Sequence, residues 1–218
     1  MKRICAITLL ILLSSPFIFS SPTIGFGGSY RYDSVFIHSY ELDAYVRDTD
    51  YAAGILSSFD KALMASGRYT LTPAKTLKLD FGLSAYHAFA TDGGMANLSV
   101  NIGQDLNFSG FAVRYRLGLI GALAYSTRSS ELHYSFSPNL FLEAGVDKDG
   151  FAFLLYIAGE RFFEKSFQSI PIFGTRMAVG FYNQRIIFDS HIKLADYMEG
   201  PTLLISDIVF SLGYEVDL

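Results

Sequence analysis

Phe111–Tyr125 reads FAVRYRLGLIGALAY. Every second residue from Phe111 is Phe111, Val113, Tyr115, Leu117, Leu119, Gly121, Leu123 and Tyr125, an apolar face with aromatics near both ends. The other face is Ala112, Arg114, Arg116, Gly118, Ile120, Ala122 and Ala124. Alternation with period two marks a β-strand that meets two different surroundings. At roughly 3.3 Å per residue such a strand can cross a bilayer at a tilt, which takes only about 9–11 residues.

The same design recurs along the chain. Thr23–Tyr32 alternates Ile24, Phe26, Gly28, Tyr30 and Tyr32 against small or polar residues. Further alternating stretches lie near Lys61–Leu71, Leu77–Phe89, Ala96–Leu106, Leu132–Val146, Phe151–Glu160, Met177–Phe181, Ile186–Leu194 and Leu204–Leu218. Pro138 has no backbone donor, so it predicts an edge-like or bulged position. Asp33–Phe59 crowds Asp43, Arg47, Asp48 and Asp50 among its apolar residues and reads as a long loop, with room for a hairpin or a helical turn. The expectation is an all-β, antiparallel, up-and-down transmembrane β-barrel of about ten strands. It drops to eight if the stretches at Met177–Phe181 and Ile186–Leu194 do not both span. The connections TPAK, NFSG, DKDG and NQ are short, and most of the others are longer, as the two rims of such a barrel require. With the N-terminus in the periplasm, the short connections are periplasmic.

Composition fits one barrel. The chain has 218 residues, half of them hydrophobic, and a formal charge of −4, which argues against a nucleic-acid partner. Residues 1–20 read as a secretory signal peptide: Lys2 and Arg3, a short apolar run from Ile4 to Leu13, then Ser14, Ser15 and Pro16. The barrel then occupies 21–218. The single cysteine, Cys5, lies in the leader, so the mature chain has no disulfide.

Three features place the apolar face against lipid rather than inside a soluble barrel. Aromatics such as Tyr30, Tyr32, Tyr69, Phe89, Phe108, Phe111, Tyr125, Phe151 and Tyr214 stand near strand ends, with aliphatics between, as interfacial girdles do. The polar face is rich in Gly, Ser, Ala and Asn, suited to a crowded interior. Third, Ser211-Leu212-Gly213-Tyr214-Glu215-Val216-Asp217-Leu218 resembles the C-terminal assembly signal of bacterial outer-membrane barrels. Ser211, Gly213, Val216 and Leu218 fall on its pattern positions, with Leu218 standing where an aromatic is usual. The resemblance implies a small outer-membrane barrel of a diderm bacterium, lodged in outer-membrane lipid and folded by the barrel-assembly machinery.

The inward face carries both signs: Arg31, Arg68, Lys78, Arg114, Arg116, Arg176 and Lys193 against Asp80, Asp105, Glu143, Glu160, Asp189, Asp207 and Glu215. Strand direction sends Arg68, Lys78, Asp80, Asp105, Arg114, Arg116, Glu143 and Glu215 to the periplasmic end. Charges of both signs in a narrow lumen should pair, because an unpaired ion there is poorly solvated. The expectation is a non-enzymatic barrel with a structural or surface-interaction role, its lumen plugged by these side chains. The alternative is a small, porin-like diffusion channel. A lipid-modifying enzyme is third: His133 and Ser135, with Glu143 downstream, resemble the His-x-Ser of lipid A deacylase barrels. In that family the site faces lipid, whereas here His133 and Ser135 alternate inward. His38, His87 and His191 make no metal-ligand spacing, and no cofactor motif is present.

Overall fold

The computed structural model describes residues 22–33, 38–58, 62–89, 93–126, 131–160, 171–196 and 203–218. The residues of the leader reading lie outside these. Twelve strands follow in chain order: β1 (Thr23–Asp33), β2 (His38–Arg47), β3 (Tyr51–Ser58), β4 (Ala62–Leu71), β5 (Leu77–Ala88) and β6 (Gly93–Phe108), then β7 (Phe111–Ser126), β8 (Glu131–Lys148), β9 (Phe151–Glu160), β10 (Ile172–Phe181), β11 (Gln184–Asp196) and β12 (Leu203–Asp217). Every neighbour pair is antiparallel, and β1 pairs with β12 to close the barrel. Closure removes the two open edges that a flat sheet would present to lipid.

The count of ten is therefore corrected to twelve. The stretch read as a loop holds β2 and β3, paired from Leu42↔Ser57 to Arg47↔Ala52. Their turn, Asp48–Asp50, is built without Gly or Pro. Asp48 N–H donates to Tyr51 O at 2.8 Å, and the Asp48 carboxylate accepts from Thr49 N–H at 2.6 Å. The reading of eight falls with it, since β10 and β11 pair over their whole shared length.

Five short connections, at 48–50, 72–76, 109–110, 149–150 and 182–183, lie at one rim, called here the turn rim. Two of them are two-residue hairpins in which Ser109 and Asp149 hold φ of 56° and 52°, followed by Gly110 at 98° and Gly150 at 80°. That left-handed path matches the twist of the flanking strands. Pro138 is opposite Leu119 of β7 in an unbroken register, without a bulge on that side; the position that would face it from β9 lies outside the described residues.

The barrel is apolar outside. Leu83, Leu98, Leu119 and Leu212 are each about 60% exposed on the outward face, with Tyr40, Phe89, Phe108, Phe181 and Tyr214 nearer the rims. The buried apolar residues are few and mostly small: Ala62, Ala112, Ala152, Leu154, Ala178 and Val209. Such a distribution is unfavourable in water and suits a hydrocarbon surround.

Candidate functional site: the charged lumen

Alternation carries most of the polar residues of the strands inward, and the turn-rim half of the lumen collects most of the charge. Arg114 and Arg116 stand two residues apart on β7. The Arg114 guanidinium donates to Glu143 of β8 at 2.9 Å and to Asp147 of the same strand. Glu143, 3% exposed, also accepts from Arg176 of β10 at 3.3 Å. Arg176 in turn donates to Asp189 of β11 at 3.2 Å. Tyr156 O–H donates to Asp189 at 2.8 Å, and the Arg176 guanidinium lies 5.7 Å from the centre of the Tyr156 ring. His191 Nδ1 is 3.4 Å from Asp189. One chain of contacts thus runs from β7 to β11. Beneath it Ala112, Ala152, Leu154, Ala178 and Ile187 pack together and back the polar groups.

A second cluster is centred on Arg116, which donates to Asp80 of β5 at 2.6 Å and sits 2.8 Å from Asp105 of β6. Asp80 accepts from Thr70 of β4 at 2.6 Å as well. A third cluster straddles the closure. Arg47 and Tyr45 of β2 donate to Glu215 of β12 at 2.7 and 2.5 Å. Arg31 and Glu41, 3.6 Å apart, face each other further toward the other rim.

The residues singled out from sequence part company here. Asp80, Asp105, Arg114, Arg116, Glu143 and Glu215 line the turn-rim cavity within these clusters. Arg68 lines it too, exposed, with no partner among the described residues. Lys78 stands apart from the carboxylates: its ammonium donates to Thr72 Oγ1 in the turn at 2.8 Å. Lys193 and Asp207 are opposite one another in the β11–β12 register. The Glu160 side chain lies outside the described residues. Sequence reasoning passed over Asp43, Tyr45, Arg47, Asp147 and Arg185, all of which line the cavity. Alternation was the signal for each. Asp43 and Tyr45 sit between, and Arg47 follows, the outward Tyr40, Leu42, Ala44 and Val46, Asp147 was absorbed into a turn, and Arg185 precedes Ile187 and Asp189 on the inward face.

His133, Ser135 and Glu143 do not assemble. They lie on one strand, ten residues from first to last, about 33 Å apart along it. Glu143 is engaged by two arginines. Ser211 and Gly213 point into the lumen, and Val216 and Leu218 share the outward face. Leu218 N–H donates to Pro22 O at 2.9 Å, so β12 is tied to β1 up to its end.

The charged groups do not fill the lumen. A cavity of about 960 Å³ remains, bordered by Ala52, Gly54, Ser66 and Arg68 on one side and by the β7–β11 clusters on the other. At about 30 Å³ per molecule it holds on the order of thirty waters.

The chain matches no protein-family model and no curated protein. Its fold does match solved structures. The NanC porin superposes with a TM-score of 0.54 at 12% identity, over 89% of this chain and 100% of that one. The KdgM porin in complex with disordered oligogalacturonate gives 0.52 at 6%, over 90% and 99%. The COG4313 outer membrane channel from Pseudomonas putida F1 gives 0.51 at 12%, over 94% and 97%. At these identities the likeness shows the fold alone. The chain has the closed antiparallel barrel of bacterial outer-membrane porins and channels, an architecture consistent with the outer membrane.

Proposed function

We propose that this barrel is a small, weakly ion-selective diffusion channel for hydrophilic solutes. The observation that carries the reading is the space left in the lumen, large enough for many waters. The ion pairs run along the wall, from β5 to β11 and again between β12 and β2, each spanning one or two strands, and they leave a cavity of about 960 Å³ bordered at β3 and β4 by small residues. Charges paired along the wall line a passage, whereas a plug would need them to meet across it. The porin and channel folds it resembles lend support in the same direction. Seven carboxylates line the cavity (Asp43, Asp80, Asp105, Glu143, Asp147, Asp189, Glu215) against six arginines (Arg47, Arg68, Arg114, Arg116, Arg176, Arg185). A balance this close gives little net field along the passage, hence weak selectivity.

Purified protein in a planar bilayer tests the reading. The expected result is a steady, reproducible conductance with a reversal potential near zero in a salt gradient. A folded barrel that carries no current would overturn it and leave the structural role with a closed lumen.

A further inference from the structure

Two lumen tyrosines share one construction. Tyr45 of β2 is opposite Gly25 of β1, and Gly25 is opposite Glu215 of β12. The Tyr45 ring lies over Gly25, and its hydroxyl donates to Glu215 at 2.5 Å. Tyr156 of β9 is opposite Gly174 of β10, lies over it, and donates to Asp189 of β11 at 2.8 Å. Each ring therefore crosses a whole strand, and a Cβ on either glycine would overlap the ring atoms. Glycine weakens a strand unless something covers the bare backbone, and an aromatic ring from the next strand does so.

We propose that Tyr45 and Tyr156 are positioning residues that set the free cross-section of the lumen. The glycine gives the ring a place flat on the wall. The hydroxyl then holds the carboxylate two strands away against that wall. The proposal rests on the channel reading, since it assigns the tyrosines to the passage. Glu215 and Asp189 line the cavity, each with an arginine as second donor, at 2.7 and 3.2 Å. With a methyl on the glycine the ring cannot keep its place on the wall, and the carboxylate loses one of its holds, Arg47 remaining on Glu215 and Arg176 and His191 on Asp189. The Tyr45 brace also spans β12, β1 and β2, the strands at which the barrel closes.

The outer face supplies a control. Tyr125 of β7 lies over Gly94 of β6, and its hydroxyl is 3.2 Å from His87 Nδ1 on β5. The ring is placed in the same way but points to the surround and not to the lumen, and a Cβ on Gly94 would meet the Tyr86 carbonyl of β5 as well as the ring.

Single-channel recordings decide the matter. Gly25→Ala and Gly174→Ala should each lower conductance by roughly twofold, because a displaced ring obstructs a narrow lumen. Gly94→Ala should leave conductance unchanged while lowering the temperature of heat-modified gel migration. The double variants Gly25→Ala/Tyr45→Ala and Gly174→Ala/Tyr156→Ala should regain the wild-type conductance or exceed it. Folded glycine variants with wild-type conductance, or double variants that stay low, overturn the proposal. So does a fall in conductance with Gly94→Ala equal to that of the lumen variants. A second readout does not require current. In Ser66→Cys, a small water-soluble thiol reagent should react more slowly when Gly25→Ala is added, and at its original rate with Tyr45→Ala as well. If the wild type carries no current but this pattern holds, the channel reading fails and the positioning role stands. Equal rates in all three backgrounds overturn the positioning role.

Discussion

Two walls of one lumen are built on opposite principles. On β7, β8, β10 and β11 the inward face carries long charged side chains, tied to one another across one or two strands. From β3 to β4 the corresponding positions are Ala52, Gly54, Ser66 and Arg68, and Arg68 has no partner among the described residues. The first wall spends its charges on each other and so holds its shape. The second offers bare backbone, small side chains and one solvated guanidinium to the water beside it. A barrel closed by the same backbone ladder all round can thus be braced on one side and open on the other.

Glu143→Gln should break the braced wall most. Glu143 is 3% exposed and accepts from both Arg114 and Arg176. Hydrogen bonds to a buried charged group are worth about 1.5–3 kcal/mol each. Both arginines keep a second carboxylate, Asp147 and Asp189, and both are partly exposed to the lumen, Arg114 by 30% and Arg176 by 41%. The expected loss is therefore about 2–4 kcal/mol in total, read as urea unfolding of the refolded barrel in detergent. A loss under about 0.5 kcal/mol, the size of an ordinary surface change, would mean that the network is ornamental.

Arg116→Ala should cost less, about 1–2 kcal/mol in the same unfolding experiment. Asp80 keeps the Thr70 hydroxyl, and Asp105, 36% exposed, can take up water in place of the cation. A cost equal to that of Glu143→Gln would merge the two clusters into one unit.

Arg68→Glu tests the open wall and should leave unfolding within about 0.5 kcal/mol of the wild type, since no bond is broken. What it changes is the balance of charge. The lining goes from six arginines and seven carboxylates to five and eight, so the reversal potential in a salt gradient should move toward cation preference. A marked loss of stability with no shift in selectivity would place Arg68 in the bracing and erase the contrast between the walls.

The braced wall was the more legible of the two in the sequence. β7 and β8 carry long apolar alternation, and strict parity puts Arg114, Arg116, Glu143 and the charges of β5 and β6 on the inner face. β2 and β3 were illegible for a physical reason. A wet lumen tolerates Glu41, Asp43 and Arg47 on one strand, so charge there does not argue against a strand as it does in a dry core. β3 has Ala52 and Gly54 inside and Ala53 and Ile55 outside, too little contrast for a period to show. Contacts such as Arg176 to Glu143 skip β9 altogether. They depend on barrel curvature and on the short Leu154 and Ala178 side chains between them, which no linear pattern records.

Lys78→Ala carries the smallest effect and draws the boundary of the braced wall. Parity alone groups Lys78 with Asp80, two residues on along the same face of β5. The structure separates them. Asp80 is buried and held by Thr70 and Arg116, whereas Lys78 reaches down to Thr72 Oγ1 at the turn rim, 2.8 Å away in an exposed bond. A hydrogen bond of that kind competes with water on both ends, and exposed pairs are worth about 0–1 kcal/mol. Removing the ammonium should shift unfolding by less than about 0.5 kcal/mol. Because Lys78 does not line the cavity, conductance and reversal potential should also stay at the wild-type values. Should Lys78→Ala instead destabilise the barrel as much as Arg116→Ala does, the Arg116 cluster would extend through Lys78 to the turn. The braced wall would then reach the rim.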